Sequence, residues 1–124
     1  VYLNDNDLKG FSNYFKLSIK KFKEEYCQIT DGLVHLIEKT ELNGNCIFLK
    51  DKKCTVYTCR PSQCRTWPFW NENMNAKVWN KNISINCPGI GKGKNIKYKI
   101  IKKLLKEDLM NEKSILKSRV NPLK

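Results

Sequence analysis

Residues 45–70 read NCIFLKDKKCTVYTCRPSQCRTWPFW, and residues 87–93 read CPGIGKG. Five of the six cysteines fall in these two segments: Cys46, Cys54, Cys59, Cys64 and Cys87. All three tryptophans (Trp67, Trp70 and Trp79) and three of the four prolines lie between residues 45 and 93. The chain is organised around this stretch, with a platform before it and a helical tail after it. The stretch reads as part of a cysteine-ligated metal site.

Asn43-Gly44 marks a turn that delivers Cys46 at the start of an apolar strand, CIFL. Residues 50–53 form a charged turn, and residues 54–57 read as a returning strand. Such a hairpin would hold Cys46 and Cys54 close across its ladder. Pro61 suits the first position of a helix, where no amide donor is needed. A helical turn over residues 61–65 would then present Cys64. Trp67-Pro68-Phe69-Trp70 is a bulky apolar knot suited to shielding a buried site, and equally to filling a core.

Six cysteines in a short chain indicate either disulfides or metal. The opening residues lack the basic and apolar regions of a secretory signal, so the reducing cytoplasm is the expected compartment, where disulfides are disfavoured. Metal ligation is therefore the better reading. The spacing Cys46-x7-Cys54-x4-Cys59-x4-Cys64-x22-Cys87 is neither a zinc ribbon nor a ferredoxin run. Cys27 follows Tyr26 in an amphipathic segment and reads as an inert buried thiol.

Upstream, residues 1–3 alternate like the end of a strand. The chain enters on it abruptly and without an initiator Met, so a further N-terminal piece is expected. Asn4 to Asp7 offer helix N-caps, and a short helix is expected over residues 7–15 with Leu8, Phe11 and Tyr14 or Phe15 at helical spacing. Ser18 reads as a second N-cap, ahead of a helix with Ile19, Phe22 and Tyr26 on one face. The two helices are expected to pack on a sheet. Asp31-Gly32, between CQIT and LVHLIEK, signals a hairpin whose tight turn needs positive φ. His35, the only histidine, reads as a structural residue of the second strand. Its solitude argues against mechanisms that need a histidine base.

Downstream, Gly89, Gly91 and Gly93 match no phosphate-binding motif and read as a tight turn aiming Cys87. Asn82-Ile83-Ser84 matches a glycosylation sequon by chance. A helix is expected from residue 95 to about residue 117, with an apolar stripe of Ile96, Ile100, Ile101, Leu104, Leu105, Leu109 and Leu116 and lysines opposite. Core packing is the expected use of the stripe, with a membrane surface or protein partner as the alternative. Pro122 and the last residues read as a frayed end.

The 124 residues suffice for one core. No apolar run reaches the roughly 18 residues needed to span a bilayer. The net charge of +12 comes almost entirely from lysine, since only Arg60, Arg65 and Arg119 are arginines. With abundant Asn and Ile and a single alanine, this is the bias of an A/T-rich genome. Residues 92–124 nevertheless carry eleven basic residues against Glu107, Asp108 and Glu112. An anionic partner such as nucleic acid could bind through that basic C-terminal helix.

The residues Cys46-Ile-Phe-Leu49, Cys54-Thr-Val-Tyr57, Arg60-Pro61, Cys64-Arg65-Thr-Trp-Pro-Phe-Trp70 and Cys87-Pro-Gly-Ile-Gly-Lys-Gly93 resemble the YkgJ-like family of cysteine-cluster proteins, zinc- or iron-chelating domains of CxxCxxCC type. Upstream, Val1-Tyr2-Leu3 and Asp7-Leu8 resemble the strand and acidic helix start of the family. The resemblance implies metal ligation by Cys46, Cys54, Cys64 and Cys87, with Cys27 and Cys59 outside the site. It implies zinc or an iron–sulfur cluster as cofactor, since thiolates are soft donors. Arg60 and Arg65 flank Cys64 and would offset the surplus sulfur charge from behind the ligands. Family members carry a CxxCxxCC cluster just upstream of the point matching Val1. If those cysteines share a centre with the four here, this chain holds half of it.

The expected architecture is a small α+β domain of short hairpins and short helices around a cysteine-rich site. Residues 1–94 form the cysteine-cluster domain and residues 95–124 a basic amphipathic helix and tail. The expected function is metal binding by a module rather than an enzyme. Two alternatives stand beside it: a subunit or relic of a cysteine-cluster methyltransferase-like enzyme, and a basic nucleic-acid-binding protein with a structural metal.

Overall fold

A computed structural model describes residues 1–42, 45–84, 87 and 95–118. The expected turns at Asn43-Gly44 and at Gly89 to Gly93, and the frayed end at Pro122, lie outside the described residues.

Helix α1, Asp5–Phe15, starts two residues earlier than its apolar spacing implied, because Asn4 and Asp7 form a reciprocal cap. The Asn4 side chain accepts from the Asp7 amide at 2.7 Å, and the Asp7 carboxylate accepts from the Asn4 amide at 3.0 Å. Each thereby satisfies a donor that the first helical turn leaves free. Helix α2, Ile19–Tyr26, begins at the expected Ser18, whose hydroxyl accepts from the Lys21 amide. The two helices pack on each other through a ladder of rings. Phe11 stacks on Phe22 at 4.9 Å and on Phe48 at 5.6 Å, and Phe15 stacks on Tyr26 at 5.0 Å. Phe11 and Phe22 are fully buried, and Leu3, Leu8, Val34, Leu36 and Val56 complete the core.

Strands β1, Cys27–Thr30, and β2, Leu33–Leu36, pair antiparallel around the Asp31-Gly32 turn. Both turn residues have positive φ, 53° and 77°, as a two-residue hairpin loop requires. Strand β2 faces the core and β1 faces solvent. The chain start adds to the free edge of β2: the Leu3 amide donates to the Val34 carbonyl, and the Leu36 amide to the Val1 carbonyl, both at 3.0 Å. Residues 1–3 thus form the expected strand end.

The second hairpin is shorter than expected. Strands β3, Leu49–Lys50, and β4, Lys53–Cys54, pair over two residues each. Residues 46–48 turn rather than run extended, closed by the Leu49 amide on the Cys46 carbonyl at 3.0 Å. Cys54 therefore pairs with Leu49 and not with Cys46. Beyond β4 the chain coils through a 3-10 turn, Tyr57–Cys59, into helix α3, Ser62–Thr66. Helix α4, Ala76–Val78, passes into a π turn, Trp79–Ile83. The C-terminal helix α5, Tyr98–Lys117, packs against α3. These elements form the small α+β arrangement expected from the sequence. Among the described residues no helix is long and apolar enough to cross a membrane.

Candidate metal centre

The site is built on α3. Its first amide, Ser62 N, donates to the Asp7 carboxylate at 2.9 Å, and the Ser62 hydroxyl donates to the same oxygen at 3.1 Å. A buried carboxylate from α1 therefore caps α3 and stabilises its N-terminus. Asn4 adds two bonds, to the Ser62 hydroxyl at 3.2 Å and to Asn111 of α5 at 2.7 Å. Gln63 accepts from the Tyr2 amide at 3.0 Å. The chain start and α1, the latter braced through Asn4 by α5, thus fix the two residues before Cys64.

Cys64 is half-buried, and burial is the main cause of its raised pKa. The next cause is Cys46, with Cys54 also pushing upward, while the Val1 amino group and Arg60 pull downward. These thiols, the start of the chain and one guanidinium therefore share one neighbourhood. Cys46 is exposed, with its sulfur 3.5 Å from the Phe48 amide. Cys54 is half-buried against the core. Its neighbour Thr55 is held by Phe48, whose carbonyl accepts from the Thr55 amide and hydroxyl, each at 2.8 Å. Cys59 stands close enough to Cys54 for the Cys54 charge to raise its pKa, after burial as the larger cause. The family resemblance places Cys59 outside the ligand set, while the structure places it beside Cys54.

Cys87 is half-buried, and its amide donates to the Ile83 carbonyl at 2.8 Å. It is not among the groups that act on Cys64. Cys27 packs against the core at the α2–β1 junction, where burial pushes its thiol up to about 11, partly offset by Lys23. All six cysteines are free thiols. Among the described residues no group of three or more His, Cys, Asp or Glu side chains stands close enough to hold a metal ion.

The two arginines differ. Arg60 acts on Cys64, is bonded to the Tyr57 carbonyl at 3.2 Å and lies 3.9 Å over the Tyr57 ring. Arg65 is exposed and donates to the Ser62 hydroxyl at 2.9 Å. His35 is buried and has both ring nitrogens engaged, Nε2 with Thr30 Oγ1 at 2.7 Å and Nδ1 with the Leu36 carbonyl at 2.8 Å. That carbonyl only accepts, so Nδ1 carries a proton, and His35 offers no free lone pair from that side. The aromatic knot lies at the C-terminal end of α3. Trp67 and Trp70 meet edge-on at 4.7 Å, and Trp70 Nε1 donates to the Gln63 carbonyl and the Thr66 hydroxyl. Trp70 also lines a cleft of about 330 Å³ with Tyr2, Asp108 and Glu112, and no cysteine borders it.

A family model described as "putative zinc- or iron-chelating domain", CxxCxxCC, matches residues 1–88. The chain is similar to an uncharacterised protein of Methanocaldococcus jannaschii, MJ0661, at 34% identity over 74 residues. That match covers 58% of this chain and 40% of the relative. No solved structure matches the chain.

Proposed function

This chain belongs to the CxxCxxCC family of zinc- or iron-chelating domains, and on that premise we propose that Cys46, Cys54, Cys64 and Cys87 ligate a zinc ion or an iron–sulfur cluster. The observation that carries the reading is that Cys46 and Cys54 both act on Cys64, so that thiols from a turn, from strand β4 and from helix α3 share one neighbourhood. Thiolates are the donors zinc and iron–sulfur clusters prefer. Zinc would supply a structural cross-link, and a cluster would supply electron transfer. Among the described residues the thiols do not stand at ligating distances, so holding a metal would require them to draw together and Cys64 to give up the proton that its raised pKa retains. Arg60 beside Cys64 offsets the resulting negative charge, and Arg65 adds positive charge at the exposed end of α3.

Cys87 enters the ligand set from the family resemblance, and Cys59 is its rival on proximity. The Val1 amino group acts on Cys64. A CxxCxxCC segment joined ahead of Val1 would therefore enter at the same thiols.

The test is zinc, iron and acid-labile sulfide analysis, with a visible spectrum, on protein purified without oxygen. It compares this chain, a version preceded by a CxxCxxCC segment, and single Ala variants at Cys46, Cys54, Cys59, Cys64 and Cys87. The expected result is one metal centre, lost in the Cys46, Cys54, Cys64 and Cys87 variants and kept in Cys59→Ala. Metal in neither long nor short form, or metal content indifferent to Cys64, overturns the reading. Loss with Cys59→Ala and retention with Cys87→Ala exchanges those two ligands.

A further inference from the structure

Helix α5 sorts its charges by face. At 3.6 residues per turn, Lys99, Lys102, Lys103, Lys106, Lys113 and Lys117 fall on one side, and all six are exposed. The opposite side carries the packing residues: Asn111 and Ile115 are buried, and Ile101, Leu104 and Leu105 half-buried. The three carboxylates of the helix avoid the lysine side. Asp108 turns inward to accept from Asn71, at 2.9 Å from its amide and 3.1 Å from its side chain. Glu112 borders the Trp70 cleft, and Glu107 borders a second one beside Arg65. None of the six lysines is ion-paired with Glu107, Asp108 or Glu112. Every Asp and Glu of the chain is among the described residues. The result is a straight ridge of six uncompensated cations about 27 Å long, at a rise of about 1.5 Å per residue.

We propose that this ridge binds the phosphate backbone of duplex nucleic acid without reading its sequence. Three observations select that partner. A helix lying on a membrane turns its apolar face to lipid, whereas here that face is spent on α3. The large apolar side chains left exposed, Ile100 on one flank, Tyr98, Leu109 and Leu116 on the other and Met110 on the ridge itself, are divided by the lysines and form no single insertion face. A protein partner would need apolar or aromatic anchors, and Met110 is the one apolar residue on the ridge itself. What remains is a rigid line of point charges whose length matches about eight phosphate steps of one strand. It carries no Arg, Asn or Gln to read base edges, and the one exposed ring of the helix, Tyr98, stands at its N-terminal end beside the ridge rather than along it, so no row of rings is offered for unpaired bases to stack on. The ridge faces away from α3 and its cysteine, so it acts with or without a metal.

The test is fluorescence anisotropy with a labelled 20-base-pair duplex of arbitrary sequence, titrated at several salt concentrations. Four to six phosphate contacts at about 0.9 each give a slope of log K against log salt of roughly −3.6 to −5.4. Affinity then falls roughly 10²- to 10³-fold between 50 and 200 mM salt. The triple variant Lys102→Gln, Lys106→Gln, Lys113→Gln reduces the slope by about 2.7 while circular dichroism stays unchanged. The control triple Lys9→Gln, Lys20→Gln, Lys50→Gln, away from α5, leaves it within about 1 of the parent. Equal losses in the two triples would reduce the ridge to bulk charge and overturn the proposal. So would the absence of duplex binding at 50 mM salt, or binding to phosphatidylserine vesicles in place of duplex.

Discussion

Cys27 shows how one residue's surroundings set its chemistry. Its thiol is pushed from an ordinary 9.0 up to about 11, with burial as the main cause. A pKa raised in the fold stabilises the protein only while the group stays protonated. The contribution is complete below about pH 9 and is lost as the pH climbs through about 11. Urea midpoints measured from pH 8 to 11 should fall less steeply in Cys27→Ala than in the parent, and identical slopes would show that the thiol ionises freely. The core-side setting of Cys27 was legible in its place after Tyr26 at the end of an amphipathic segment, and so was the structural setting of His35 on its strand. The place of Cys59 was not, because nearness to Cys54 depends on a 3-10 turn that no spacing rule announces. Nor was the inward turn of Asp7, which reads as an ordinary N-terminal acid of α1 and proves to cap α3, 55 residues away.

Among the elements, turns with strong local chemistry were the legible ones. Asp31-Gly32 announces its hairpin because glycine takes positive φ without strain. The turn of the second hairpin uses the same backbone at Asp51 and Lys52, φ 51° and 63°, on residues that do not advertise it. The apolar run CIFL looked like a strand by composition, yet Phe48 is drawn into the ring stack of α1 and α2, and the chain bends to deliver it. Helix α1 carries a local inefficiency. Gly10 sits in its interior, and a β-carbon there would meet nothing within 4 Å. Gly10→Ala should therefore stabilise the fold by about 0.5–1 kcal/mol, the usual entropic cost of a helical glycine. Chemical denaturation reads this directly, and a neutral or negative change would mean that the helix is frayed at that turn.

Across the whole molecule, the α+β character was readable from periodicity, but the seating of α5 was not, because it is decided by buried polar groups rather than by the apolar stripe. Ile96, Ile100, Leu109 and Leu116, four members of that stripe, remain exposed, while Asn111 is buried. Removing the Asn111 side chain strips the Asn4 amide nitrogen of the shorter of its two acceptors. Asn111→Ala should cost about 1–3 kcal/mol, the range for a buried polar group that loses its bond. Limited proteolysis should then release α5 before α1, and simultaneous loss of both would show that the domain opens only as one unit. The Asn4–Asn111 bond also has a temporal meaning. It joins residues 107 positions apart, and contacts of such separation are slow to close because the intervening chain must first surrender its freedom. On a ribosome, the aromatic platform of α1 and α2 is available to collapse long before α5 has been made. The pocket around Asn4, Asp7 and Ser62 must wait with its polar groups facing water until α5 arrives, so the cysteine neighbourhood reaches its final rigidity only after α5 has been made.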